Sequence, residues 1–257
     1  MSAPLRSFLI VAGDDEKKLG KVAESGADAV ILDLDDSVSA ARKSIARGLV
    51  GEFLSSHADD ASMPQLWVRV NSFGTGSVLT DLAATVTSGT SGIMIPEVDG
   101  PADVLRVHHY VEALEKSVGL EPQGVKLMPV VTKAALRPFG LGDYSAAAMP
   151  RLYGLTWGAG NLDAALWKAT NLTPEGNWTQ TSRLVRLLAL NAARATGVEA
   201  VETFHVDTRD AKGLAESSRR ARAEGFSGRI AIHPAQVRVI NEAFTPTTDE
   251  IDSATHR

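Results

Sequence analysis

The stretch A-D-A-V-I-L-D-L-D-D-S-V, residues 27–38, sets a short apolar run against a cluster of acids. The run, 29–34, is the length of a strand, and it ends among Asp33, Asp35 and Asp36. An apolar run of this size followed directly by charge reads as a buried strand that delivers carboxylates at its C-terminal end. Similar runs recur at 7–11, 66–70, 92–95, 126–131, 152–156, 200–203 and 229–232. Most are followed by helical periodicity, as at 16–25, 80–87, 102–116, 181–195 and 211–223. Gly26, Gly197 and Gly225 close such segments, where a left-handed C-cap favours a residue without a Cβ. Alternation of this kind without an intervening linker predicts a parallel sheet closed into a (β/α)8 TIM barrel, with an open doubly wound sheet as the alternative. The expected division is a barrel over 1–240 and a C-terminal arm of the same domain over 241–257.

Composition narrows the function classes. A chain of 257 residues fits one barrel, and 44% apolar with 22% charged residues is an ordinary globular balance. The net charge of -5 and the dispersed Lys and Arg offer no surface for a phosphate backbone, which argues against nucleic acid. With no cysteine there are no disulfides, thiolate zinc sites or Cys nucleophiles, which fits a reducing compartment. The N-terminal apolar run is too short to span a bilayer and lacks a signal-peptide layout. The expectation is a cytoplasmic protein with no membrane partner.

In a barrel of this type the C-terminal ends of the strands surround the active site. Strand two presents Asp33, Asp35 and Asp36, strand three Arg69 and Asn71, strand four Glu97, strand five Thr132 and Lys133, strand six Asn161, strand seven Asp207, and strand eight His233. Three acids within four positions suit a hard cation, and Asp35 and Asp36 equally suit the N-terminus of a helix beginning in V-S-A-A-R-K. Arg69, inside W-V-R-V, matches a substrate carboxylate with its planar donors, or else bridges to Asp33 or Asp36. His233 reads as a structural hydrogen-bonding residue, and His108 and His109 as surface residues. The G-T-G of residues 74–76 is a weak phosphate-loop signal.

Taken together, R-S-F-L-I-V-A-G (6–13), the 27–38 stretch, R-V-N (69–71), G-F-S-G-R-I-A-I-H-P-A-Q-V (225–237) and N-E-A-F-T-P (241–246) resemble the citrate lyase β-subunit-like CoA-ester lyases of the HpcH/HpaI aldolase group. The resemblance runs almost end to end. It implies a (β/α)8 barrel, commonly a homotrimer, that cleaves or forms a C–C bond in a carboxylated 3-hydroxyacyl-CoA such as citryl-CoA or malyl-CoA, with CoA as part of the substrate and Mg2+ as cofactor.

The family's metal ligands are a Glu in an E-T-A pattern after strand five and an Asp in G-A-E-D-L after strand six. Here the segments read T-K-A and G-A-G-N-L, which puts Thr132 in the Glu position, Lys133 after it and Asn161 in the Asp position; a slip of one residue would put Lys133 itself at the Glu. Asp35 replaces a Glu, Glu97 stands where Lys is common, and Arg69, Asp33 and Asp36 keep the pattern. Neutral oxygens hold a hard dication poorly. An ammonium about 4 Å away would repel it by roughly 8 kcal/mol at an effective dielectric near 20. No metal ligand is therefore assigned, and Mg2+ dependence is expected to be weak or absent. The expected catalytic groups are Lys133, as a cation facing the enolate oxygen or as a Schiff-base amine, and Asp36, which moves a proton or orients the set. Arg69, Thr132, Asn161, Asp33 and Glu97 are the expected substrate contacts. The alternatives are a non-catalytic relative that binds an acyl-CoA or dicarboxylate, as a sensor or assembly subunit, and an acyl-CoA thioesterase using Asp207 or Asp210.

Overall fold

The computed structural model describes residues 4–132, 137–160, 170–174 and 176–247. Lys133 and Asn161 lie outside the described residues. The strands are β1 (Ser7–Ala12), β2 (Ala29–Asp33), β3 (Gln65–Arg69), β4 (Gly92–Ile95), β5 (Lys126–Pro129), β6 (Gly154–Thr156), β7 (Glu199–Glu202) and β8 (Gly228–Ala231). They form one eight-stranded sheet in the order β5-β4-β3-β2-β1-β8-β7-β6. Its pairings are parallel, and parallel bridges Leu127–Leu152 and Val130–Thr156 bring β6 back to β5 and close the ring. This is the expected (β/α)8 barrel.

The helices of the outer layer are α1 (Glu16–Leu19), α2 (Lys43–Ser56), α3 (Val78–Thr85), α4 (Pro101–Ser117), α5 (Gln180–Thr196), α6 (Ala211–Glu224) and α7 (Pro234–Phe244), with a 3-10 stretch Arg137–Ala146 between β5 and β6. Gly26, Gly197 and Gly225 all take left-handed backbone at the ends of their segments, as their sequence positions required. Two expectations change. The helix read over 16–25 is a single α-turn followed by a 3-10 turn at Ala23–Ser25. The helix after β2 begins only at Lys43, so Asp35 and Asp36 sit in the preceding loop and do not cap it. α2 escaped the periodicity reading because Gly48 and Gly51 interrupt it. Gly51 is there for packing: a Cβ on it would lie 2.5 Å from the Ala84 carbonyl oxygen of α3. α7 runs through position 240 to Phe244, so residues 241–244 continue the helix that follows β8.

Strand alternation divides the core in two. Leu9, Val30, Leu32, Val68, Ile93, Leu127 and Leu155 face the helices. Phe8, Ala29, Ile31, Trp67, Met94, Met128, Val130, Val201 and Ile230 fill the barrel. Phe8, Trp67 and Tyr153 meet edge to face at centroid distances of 5.3–5.9 Å and plug the interior. With the interior filled, chemistry is confined to the mouth where the strands end.

Candidate active site at the barrel mouth

Asp33 and Arg69 are register partners on β2 and β3, and both continue the inward-facing rows of their strands. Neighbouring inward positions explain their direct pairing. Arg69 Nε and Nη2 donate to the two Asp33 oxygens at 2.6 and 2.7 Å, a bidentate fork, and Nη1 donates to Asp36 at 3.1 Å. Asp33 is fully buried and also accepts from the backbone N–H of Asp35 and Ser37 and from the Ser37 hydroxyl. Burial alone would raise its pKa, but the Arg69 guanidinium and the Ser37 hydroxyl outweigh it and hold the carboxyl below its usual range. Arg69 forms the bridge to Asp33 and Asp36. Asp33 acts as the anchor of Arg69, and Asp36, with an 81% exposed side chain, reaches into the mouth.

Asp35 differs in kind. Its side chain is largely covered, and Lys43 spends its ammonium on the Leu34 and Asp35 carbonyl oxygens, 3.9 Å from the carboxylate. Burial first, then the Asp36 charge, pushes Asp35 up to about 6.

The other predicted positions divide. Thr132 continues the inward row of Met128 and Val130, and it is fully buried. Its hydroxyl donates to the Gly158 carbonyl at 3.0 Å and accepts from the Gly158 N–H at 2.7 Å. One hydroxyl carries one proton, so Thr132 ties the exits of β5 and β6 together and has no donor left for a ligand. Glu97, at the exit of β4, is held at φ 51, a left-handed conformation uncommon for a side-chain-bearing residue. Asn71 is turned away to structure: its backbone N–H and side-chain amide both donate to buried Asp81 at 2.7 Å, and Arg47 binds the other Asp81 oxygen. His233 caps α7, its Nδ1 accepting from the Ala235 N–H. Asp210 caps α6 through the Gly213 N–H, and Asp207 accepts from the Arg209 N–H, which gives both loop roles. His108 Nδ1 accepts from Arg151 Nε.

Two features were not foreseen. Thr156 ends β6 in register with inward-facing Val201, and its buried hydroxyl has no hydrogen-bond partner among the described residues. A cavity of about 820 Å³ opens beside the mouth, floored by Leu9, Ile10 and Val11 of β1 and bounded by Phe204, Ile232 and Pro234. Arg69 and Asp36 stand at one end of its wall, and Lys18 and Lys21 line it too. The clue in sequence was the pair of lysines in E-K-K-L-G-K, an ordinary solvated turn by pattern alone.

Among the described residues, no group of three His or carboxylate side chains converges at the mouth as a Mg2+ site would require. Asp33 is saturated by Arg69 and the 35–37 loop, and the Thr132 hydroxyl is committed to Gly158. Among the described residues, the group of three His or carboxylate side chains that converges is His108, His109 and Glu112, on α4 and away from the mouth.

A closed (β/α)8 barrel with an Arg–carboxylate cluster and an apolar cavity at its mouth defines a class of enzyme scaffold. The chain belongs to the HpcH/HpaI aldolase/citrate lyase family, which it matches over residues 6–234. It is 31% identical over 258 residues to the mitochondrial citramalyl-CoA lyase of Mus musculus, covering 98% of this chain and 74% of that protein. It is 34% identical over 254 residues to the (3S)-malyl-CoA thioesterase of Cereibacter sphaeroides, covering 98% and 81%. Protein CitE of Mycobacterium tuberculosis, solved in complex with magnesium, acetoacetate and coenzyme A, superposes with a TM-score of 0.76 at 28% identity, covering 99% of this chain and 86% of that one. Among the described residues no helix is long and apolar enough to cross a membrane.

Proposed function

We propose that this protein is a carbon–carbon lyase that splits a carboxylated 3-hydroxyacyl-CoA, or a related small keto acid, by retro-aldol or retro-Claisen chemistry. The supporting observation is the 820 Å³ cavity beside the mouth. It is apolar along β1, as a pantetheine arm requires, with Lys18 and Lys21 available to phosphates and the Arg69–Asp36 cluster available to the reacting end. Removal of the 3-hydroxyl proton lets the C2–C3 electron pair move to C2, giving a keto product and a thioester enolate, which is then protonated. Asp36 is the exposed carboxylate placed to take and return that proton. Arg69, which directs three of its five N–H groups to Asp33 and Asp36, keeps two for a substrate carboxylate.

Mg2+ would stabilise the enolate oxygen in family members that hold it. In this reading Thr132, or Lys133 one residue on, takes the Glu position and Asn161 the Asp position, and the Thr132 hydroxyl is bonded to Gly158. We therefore assign enolate stabilisation to Lys133 and Asn161, with weak or absent metal dependence. Glu97 completes the rim. A homotrimer in the cytoplasm, with neither nucleic acid nor membrane as partner, belongs to the same proposal.

Turnover of an acyl-CoA panel, with added Mg2+ and with EDTA, tests it. The expected result is a keto acid and a shortened acyl-CoA, little altered by EDTA, and lost in Lys133→Ala while the circular dichroism spectrum is kept. The 34% identity to a malyl-CoA thioesterase gives a second reading weight. Release of free CoA thiol without a keto product would establish hydrolysis instead, and binding without turnover would establish a non-catalytic acyl-CoA-binding relative.

A further inference from the structure

A second cavity, of about 470 Å³, lies behind β7 on the helix side of the sheet, near the start of α5 and along α6. Its walls carry Arg183, Arg186, Arg220 and Arg229 beside Trp178 and Phe204. The acids there are already matched. Glu202 accepts from Arg186, Trp157 Nε1 and the Thr203 N–H, and Glu224 accepts from Arg186. Asp210 and Asp207 cap backbone N–H groups, and Glu216 pairs with Lys212.

The arginines are not matched. Arg229 is 1% exposed and, among the described residues, makes hydrogen bonds only to neutral acceptors: Nε to the Thr203 carbonyl at 3.0 Å, and Nη1 to the hydroxyls of Ser217 and Ser218 at 2.9 and 3.0 Å. Among the described residues no carboxylate lies within ion-pair distance of it, and its Nη2 has no acceptor. Among the described residues, Arg220 reaches only the Asn177 side-chain oxygen, at 3.5 Å, and Arg183 has no side-chain partner. His205 Nε2, in the same wall, is buried and makes no close hydrogen bond among the described residues, with an Asp210 carboxylate oxygen 3.4 Å away. A buried guanidinium with no carboxylate in direct contact is costly, and burial, offset only in part by the nearby Glu202 charge, drives the Arg229 pKa down. An anion entering the cavity would remove that cost.

We propose that this cavity is a second binding site, for a small organic carboxylate with an apolar body. One carboxylate oxygen accepts from Arg229 Nη2, the other from His205 Nε2–H, and the body lies against Trp178, Leu172 and Phe204. Arg183 and Arg220 draw the anion to the rim. Glu202 and Arg229 lie on the outer face of β7 and β8, Phe204 is a wall shared with the mouth cavity, and the proposal does not rest on the lyase reading.

The test uses the full chain and 4-bromobenzoate, with inorganic phosphate as the comparison anion. In a soaked crystal the bromine should appear beside Trp178 with the carboxylate on Arg229. By calorimetry the double variant Arg183→Ala/Arg220→Ala, which alters only exposed residues, should bind about tenfold more weakly. Arg229→Met should abolish binding, and if that variant does not fold, the crystal and the double variant decide. A bromine peak only at the barrel mouth, phosphate binding without bromobenzoate binding, or unchanged affinity in the double variant would each overturn the proposal.

Discussion

Replacing Asp35 by Asn should make the protein more stable at pH 7.5 and leave it nearly unchanged at pH 4. Burial and the neighbouring Asp36 lift the Asp35 carboxyl from 3.8 to about 6 in the folded state. A folded pKa above the unfolded value means that the native state holds its proton more tightly. Stability therefore falls as pH rises from about 4 to about 6, and the loss is complete above the folded pKa. A shift of about two units corresponds to about 3 kcal/mol of unfavourable ionisation, an upper figure for a side chain that is 17% exposed. Asn is nearly isosteric, carries no charge, and leaves the Lys43 contacts intact because they go to backbone carbonyls. Urea titration of both proteins at pH 4, 5, 6 and 7.5 should show the gap opening across that window to about 1–3 kcal/mol. A variant that is less stable at pH 7.5, or a gap that does not change with pH, would refute the assignment of Asp35 as a destabilised carboxylate.

Further outcomes follow from the same geometry. Glu115→Ala removes both hydrogen-bonding oxygens from the buried Arg151 guanidinium, at 2.7 and 2.6 Å, and should cost about 3–5 kcal/mol in urea denaturation; near-wild-type stability would contradict the pairing. Thr132→Val breaks the reciprocal bonds to Gly158 and should cost about 1–3 kcal/mol, with Thr132→Ser restoring most of it. Equal losses in the two variants would point to packing instead of hydrogen bonding. Thr132→Glu combined with Asn161→Asp should raise Mg2+ affinity measured by calorimetry, because two carboxylates supply the oxygens a hard dication prefers. No gain in affinity would show that charge at these two positions does not govern the metal.

Much of the architecture was legible in the chain because a barrel repeats one unit. Runs such as 29–34 and 92–95 are buried on both faces, so they stay apolar throughout, and glycines mark where helices stop. The 43–56 helix was hidden because Gly51 answers to the backbone of α3 and not to helix propensity. Toward the end of the chain, N-E-A-F finishes a helix whose Val237 and Ile240 are buried.

At the mouth, sequence determined which chemical groups gather there, because a strand end is a position along the chain: Asp33, Asp35, Asp36, Arg69 and Thr132 were all readable. How each group is employed depended on what stands across the gap. The Asp33 fork that anchors Arg69 follows from the register of β2 against β3, which sequence alone does not reveal. Thr132 could have donated to substrate, and only the approach of β6 commits its proton to Gly158. Arg229 and His205 carried no signal, since an unmatched charge is a property of the surroundings. Hydrogen-bond partners are chosen across space, between residues tens to hundreds of positions apart, so tertiary packing had to decide them.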